Sequence, residues 1–304
     1  MGFSGLLTSF IVAFAAAAAA TPCSILALSG GGSFGAVELG ILDGLVESQQ
    51  VPDQFDIVTG ISAGGLNAGF LSYYANVSTA LPELHTIVSD LSTAKVYTSD
   101  VFGVLSEWSI YNTAPLNATL TGILSGRVAE SGAPLTLVGA TNVNTQTLDV
   151  FTFSSLATVE DRVSVLLATS AIPLAFPPRT INGSLYVDGG VINNEMITQA
   201  MGLMPCDMYD VTFISASPAA ATGRQTVTGL FSFLSAVIRL LLNTFDDQIA
   251  QLASVTCPFP RGTIRAYYPT APELAAYSIL NFDYGAILWD LGKNAYNMTT
   301  FPLC

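Results

Sequence analysis

Short apolar runs alternate with stretches of helical periodicity along most of the chain. "SILALS" (24–29) and "FDIVTG" (55–60) read as strands, each followed by an apolar-periodic helix, over 34–49 and 64–75. A looser, helix-leaning stretch follows, reaching about residue 130. "PLTLVGATN" and "LDVFTF" then read as neighbouring strands, followed by a helix over 160–170, a short strand at "SLYVDGG" and a helix over 195–203. Strand "YDVTFISA", a long apolar helix within 227–253, strand "TIRAYYP" and closing helices complete the pattern. Strands apolar on both faces, alternating with helices, predict a three-layer α/β/α sandwich around a mostly parallel central sheet. No Pro/Ser/Gly linker interrupts the alternation, so residues 21–304 are expected to form a single domain.

Composition narrows the possibilities. Of 304 residues 51% are apolar and only 10% charged, enough to fill a core and too little charge for a disordered chain. The formal net charge is −13 with 9 Lys and Arg in all, which argues against a nucleic-acid partner. Residues 1–20, "MGFSGLLTSFIVAFAAAAAA", read as a secretory signal peptide ending near Ala20, although the usual basic start is missing. An N-terminal membrane anchor is the alternative, but the strongly apolar part, Leu6 to Phe14, is short for a span. Sequons at Asn76, Asn117, Asn182 and Asn297 agree with a secreted or vacuolar-lumen glycoprotein. Cys23, Cys206, Cys257 and Cys304 form no CxxC pair, so one or two disulfides are expected and a zinc site is not.

Two glycine-rich turns carry the candidate chemistry. In "LALSGGGSFGAVELGIL", Gly30, Gly32 and Gly35 fit GxGxxG between a strand and a helix. Such a turn offers bare N–H groups at a helix N-terminus, suited either to a pyrophosphate or to an oxyanion formed during a reaction. The second turn, "TGISAGGLNAGF", contains Gly60, Ser62 and Gly64 as GxSxG, the sharp strand-to-helix elbow that lifts a serine Oγ above a sheet. A dinucleotide site would want an acidic residue ending the second strand; Asp56 stands at its start and Ser62 at its end. A serine nucleophile needs a base, and the single histidine, His85, lies in the amphipathic helix "LPELHTIVSD" with none after it. The best-placed carboxylate is Asp188 in "LYVDGGVINN", after a strand and before Gly189 and Gly190.

At these residues the chain resembles the patatin-like phospholipases, serine lipid acyl hydrolases with a Ser–Asp dyad. "SGGGSFG" is similar to the family's oxyanion loop, "GISAGGLNAGF" to its nucleophile elbow and "VDGG" to its Asp motif. "LLATSAIPLAFPP" (166–178) resembles the segment that precedes that Asp. The resemblance implies Ser62 and Asp188 as catalytic residues, Gly30, Gly31 and Gly32 as the oxyanion hole, and a lipid or membrane-surface substrate without nucleotide, cofactor or metal. No oxygen-rich acidic loop suggests calcium. Two positions depart from the family: Phe34 stands where it usually has Arg or Lys, and Ser29 where it often has Asp. Phe34 gives weight to a storage or defence glycoprotein of the same fold with little turnover; an acyltransferase using the same acyl-serine is a third reading. The segment 229–242, "GLFSFLSAVIRLLL", is too short to span a bilayer and is either a core helix or an interfacial one.

Overall fold

The computed structural model describes residues 22–100, 107–218 and 262–303. The leader expected over 1–20, the helix expected within 227–253, Cys257 and Cys304 lie outside these residues. Strand β1 (Cys23–Leu28) leads through a 3-10 turn (Gly32–Phe34) into helix α1 (Gly35–Glu47), and β2 (Ile57–Ile61) runs directly into α2 (Ser62–Leu71). The helix-leaning stretch holds α3 (Val77–Asp90), the single turn α4 (Thr93–Val96), a two-residue hairpin of β3 (Thr98–Ser99) and β4 (Tyr111–Asn112), and α5 (Ala114–Leu124). Then come β5 (Leu135–Asn142), β6 (Thr147–Thr152), α6 (Val159–Thr169), β7 (Arg179–Ile181) and β8 (Ser184–Asp188). Helix α7 (Ile197–Leu203), β9 (Tyr209–Ile214), β10 (Gly262–Pro269), α8 (Gly285–Asn294) and β11 (Tyr296–Leu303) close the described chain.

Five strands in the order β10-β9-β1-β2-β5 form the parallel centre of a nine-stranded mixed sheet. Period-two alternation sorts its side chains. Leu26 and Leu28 face a core shared with α1, α2, α3, α6 and α8, whereas Ile25 and Ala27 face one shared with α7. The two covered faces make the expected sandwich. Strand β11 corrects the expectation of closing helices: after α8 the chain turns back antiparallel along β10. "YNMTTFPL" is an edge strand of aromatic and β-branched residues, and at an edge Pro302 can sit without breaking an inner ladder.

The register around β5 determines the site. Strand β6 lies along one edge of β5 from Leu137 to Asn142. The opposite edge is therefore shared: β2 pairs with Leu135–Gly139, and β8, running the other way, pairs with Ala140–Asn142. Ile61 sits opposite Gly139 and Asp188 opposite Ala140, so the C-terminal ends of β2 and β8 meet. A disulfide joins Cys23 to Cys206, tying the start of β1 to the segment that leads into neighbouring β9, with a Cα–Cα distance of 6.2 Å.

Candidate active site

Ser62 is the first residue of α2 and follows the last residue of β2. Its φ of 52° is in the left-handed region, which a non-glycine residue adopts only when its surroundings hold it there. Here the holding contacts are explicit. Ser62 N–H donates to Thr169 Oγ1 at 2.9 Å, and the Thr169 hydroxyl donates onward to Gly139 O at 2.6 Å. Two residues beyond Ser62, Gly64 N–H donates to Ser29 O at 3.0 Å. A Cβ at Gly64 would lie 2.4 Å from that same oxygen, so only glycine lets α2 start this close to the first loop.

Ser62 Oγ donates to Asp188 Oδ2 at 2.7 Å, and Gly190 N–H donates to Asp188 Oδ1 at 2.9 Å. Asp188 N–H donates to Ala171 O at 2.9 Å, so the segment 166–178 holds Ser62 through Thr169 and Asp188 through Ala171. Both side chains are buried, Ser62 at 1% and Asp188 at 0% exposure. Burial pushes the Asp188 carboxyl up to about 7, against the lowering effect of the bonds from Ser62 and Gly190. That places its titration where a general base works best.

The glycine turn faces this pair: a Cβ at Gly30 would lie 2.8 Å from Ser62 Cβ. The turn divides the three glycines expected to act together. Gly30 N–H is already taken by Asn194 Oδ1 at 2.8 Å, and Asn194 Nδ2 donates back to Gly30 O at 3.3 Å. Among the described hydrogen bonds none engages Gly31 or Gly32 N–H, so these two are the donors left to an incoming anion. Gly32 has a φ of +59° and begins the 3-10 turn whose Gly35 opens α1. Phe34, the loop position at which the resemblance implies Arg or Lys, is buried in the core.

Sequence reasoning named Ser62, Asp188 and the glycines and missed the residues that hold them. Thr169 and Ala171 stand within the segment 166–178, where nothing local sets them apart. Asn194 and the buried Glu38, which accepts from Ser29 N–H at 2.6 Å and from Asn67 Nδ2 at 3.0 Å, carried no motif. Burial drives the Glu38 carboxyl well above its ordinary range, partly offset by its bonds from Asn67 and Ser29. Glu195, next to Asn194, is also buried and pushed up to about 7 by burial. The signal that could have found Glu38 is a carboxylate on the apolar face of α1. His85 is not part of the site: it is exposed on α3, with its ring edge-on to Trp289 at 5.0 Å. Asp56 accepts from Ser24 N–H and Oγ at the far ends of β1 and β2, away from the glycine turn.

Among the described residues no group of three or more His, Cys, Asp or Glu could hold a metal ion. No described helix is long and apolar enough to cross a membrane.

Comparison with known proteins gives a family match. The model for patatin-like phospholipase matches residues 26–201, which include the glycine turn, the serine elbow and Asp188. An uncharacterized protein of Acanthamoeba polyphaga mimivirus is 24% identical over 182 residues, 57% of this chain and 60% of its own length. Among solved structures, VipD from Legionella pneumophila is 14% identical with a TM-score of 0.41, covering 92% of this chain and 68% of that one. Human GIVD cytosolic phospholipase A2, in complex with methyl γ-linolenyl fluorophosphonate, is 11% identical with a TM-score of 0.38, over 90% of this chain and 57% of that one.

Proposed function

The chain belongs to the patatin-like phospholipase family, and from that premise we propose a serine lipid acyl hydrolase that cleaves fatty acyl esters of phospholipids or galactolipids. The observation that carries the reading is the buried hydrogen bond from Ser62 Oγ to Asp188 Oδ2, at an elbow beside a glycine turn in which no described bond engages Gly31 or Gly32 N–H. Ionised Asp188 takes the Ser62 proton as Oγ attacks the ester carbonyl. Gly31 and Gly32 N–H groups, which no described bond engages, stabilise the tetrahedral oxyanion. The alcohol leaves with the proton from Asp188; water, deprotonated by Asp188, then attacks the acyl-serine, and Asp188 returns that proton to Ser62 Oγ as the fatty acid is released.

A lipid surface suits the loops around Asp188. Val191 and Ile192, just after it, are exposed at 38% and 39%; Leu174, three residues past Ala171, is exposed at 62%. Trp108, exposed at 61%, is brought beside Leu174 by the Ser109–Leu174 bridge and the 2.9 Å bond from Ile110 N–H to Leu174 O. Exposed apolar side chains in the segments that flank Asp188 and Ala171 are a common mark of lipid contact. With a net charge of −13, attraction to anionic lipids is not what would bring the protein there.

The same reading includes a secreted or luminal glycoprotein. It is supported by the Cys23–Cys206 disulfide and by the positions of the sequons, with Asn117, Asn182 and Asn297 exposed and Asn76 half-buried. The deciding experiment is turnover of a short-chain nitrophenyl ester by the parent and by Ser62→Ala. Turnover that disappears with Ser62 supports the hydrolase; a parent with no turnover supports the storage or defence reading.

A further inference from the structure

We propose that Glu38 is the positioning residue of the glycine turn, its two carboxyl oxygens tying the loop's first peptide to the helix that carries Ser62. The inference rests on Ser62 acting as the nucleophile, and on contacts that no motif records. Glu38 sits in the first turn of α1 with 0% exposure, surrounded by core residues such as Val37 and Leu39. A carboxyl group so buried is costly unless its oxygens are satisfied, and here each has its own donor. Oε1 accepts from Ser29 N–H at 2.6 Å, a bond that Ser29 shares with Ile214 O at 3.2 Å. Oε2 accepts from Asn67 Nδ2 at 3.0 Å, which also reaches Gly35 O at 3.1 Å.

Asn67 lies on α2, five residues beyond Ser62. Ser29 closes the circuit by accepting from Gly64 N–H through its carbonyl and from Ala216 N–H through its hydroxyl, at 3.0 and 2.8 Å. Glu38 thus links the Leu28–Ser29 peptide, where the loop begins, to the nucleophile's own helix, while Asn194 holds Gly30 through its N–H and carbonyl. The position of the Leu28–Ser29 peptide fixes the start of the loop, and through it where Gly31 and Gly32 aim their N–H groups. A shift of about 1 Å in a positioned group costs about a hundredfold in rate. Phe34 is buried in the core and offers the loop no polar anchor through its side chain, whereas Glu38 holds it at Ser29 N–H. Against the ionised carboxylate, whose two oxygens both accept, a glutamine keeps one acceptor for Ser29 and turns an amide donor toward the Asn67 donor.

The test uses the full chain and Glu38→Gln. Active sites are counted by labelling with an alkyl fluorophosphonate, hydrolysis of a soluble nitrophenyl ester is measured per labelled site, and amide exchange is followed over residues 29–35. Expected are a fall in kcat per site of about ten- to a hundredfold with KM within about twofold. Exchange at Gly30, Ser33 and Phe34, whose N–H groups are hydrogen-bonded, should rise by about tenfold or more while β1 is unchanged. Glu38→Gln with Asn67→Ala should be about as slow as Glu38→Gln alone, because both act through one link. An unchanged kcat per site overturns the proposal, including the case in which only the number of active sites falls, since that is a folding role. If the parent shows no Ser62-dependent turnover, the hydrolase reading fails by itself; the exchange measurement then decides the anchoring, and unchanged exchange overturns it.

Discussion

Ser62 and Asp188 are 126 positions apart in sequence, yet their side chains share a 2.7 Å hydrogen bond because β2 and β8 end against successive residues of β5. The bond is buried, and burial raises the Asp188 carboxyl to about 7. Two pH effects of opposite sense follow. Hydrolysis needs the ionised base, so kcat/KM should rise with pH through an apparent value near 7. Stability should move the other way. The folded protein holds this proton more tightly than the unfolded chain, so the group's contribution is full below 3.8 and is lost as pH rises through about 7. Glu195, raised from 4.5 to about 7, adds to the same slope. Thermal melts of Asp188→Asn should therefore show a gain over the parent at pH 8 that vanishes near pH 4. Glu195→Gln should flatten the stability slope while leaving the kinetic limb in place. A Glu195→Gln variant that loses the limb would assign the titration to Glu195 instead.

Thr169 couples the elbow to the sheet through two buried hydrogen bonds, accepting from Ser62 N–H and donating to Gly139 O. Thr169→Val keeps the shape and removes both. Leaving a buried donor and a buried acceptor unpaired should cost about 1–3 kcal/mol in denaturant unfolding. It also frees the strained Ser62 backbone, so kcat should drop while KM on a soluble ester changes little. A variant as active and as stable as the parent would show that the elbow holds itself.

The alternation of strands and helices was legible because each central strand is covered on both faces and reads as an apolar run. The serine elbow and the aspartate turn were legible for a different reason: glycines at fixed offsets mark tight turns before any packing is known. What could not be read was the pairing that brings them together. Strand β8 reaches Ser62 only because it takes the free end of the β5 edge left by β2, and nothing local encodes that register. Asn194, Glu38 and Thr169 were invisible for the same reason, since each meets its partner only across the fold: Asn194 from 164 positions away, Thr169 from 107, and Glu38 across a turn whose direction the pattern leaves open. The final strand was misread as helix because β11 is a partly exposed edge whose apolar positions do not alternate cleanly.

The exposed Trp108 and Leu174 allow the lipid-contact reading to be tested apart from the chemistry. Neither side chain touches Ser62 or Asp188 in the described contacts, so changing both to Ser should leave soluble-ester hydrolysis close to the parent's. On zwitterionic phospholipid vesicles the same double variant should lose about tenfold or more, the order expected from removing two large apolar contacts with the bilayer. Equal losses on both substrates would place these residues in the fold's support. The segment 229–242, expected to be either a core or an interfacial helix, lies outside the described residues, and Phe231→Ser with Phe233→Ser is the parallel experiment there.

Secretion predicts a processed chain. N-terminal sequencing of the natural product should find it starting close to Thr21, and glycosidase should lower its apparent mass. The Cys23–Cys206 bond closes a loop with a sequence separation of 183. By the chain-entropy account a loop of that order stabilises by about 5 kcal/mol, so thiol reduction should markedly lower the melting temperature. An intact Met1 without glycan would overturn the secretory assignment.

The last prediction concerns the missing histidine. A serine paired directly with a carboxylate should not depend on the only imidazole in the chain, and His85 is exposed on α3 against Trp289. Ser62→Ala removes the nucleophile and Asp188→Asn removes the base while keeping its shape. Each alone should lower kcat by about a thousandfold or more, and the double variant should be hardly slower than either, because groups that act as one unit fail together. His85→Ala should keep nearly the parent's rate, with at most a small loss of stability from its ring contact. Circular dichroism matching the parent for all three single variants keeps the comparison to chemistry alone. A His85→Ala protein as inactive as Ser62→Ala would mean that the imidazole reaches the serine during turnover, and the two-residue centre would have to be abandoned.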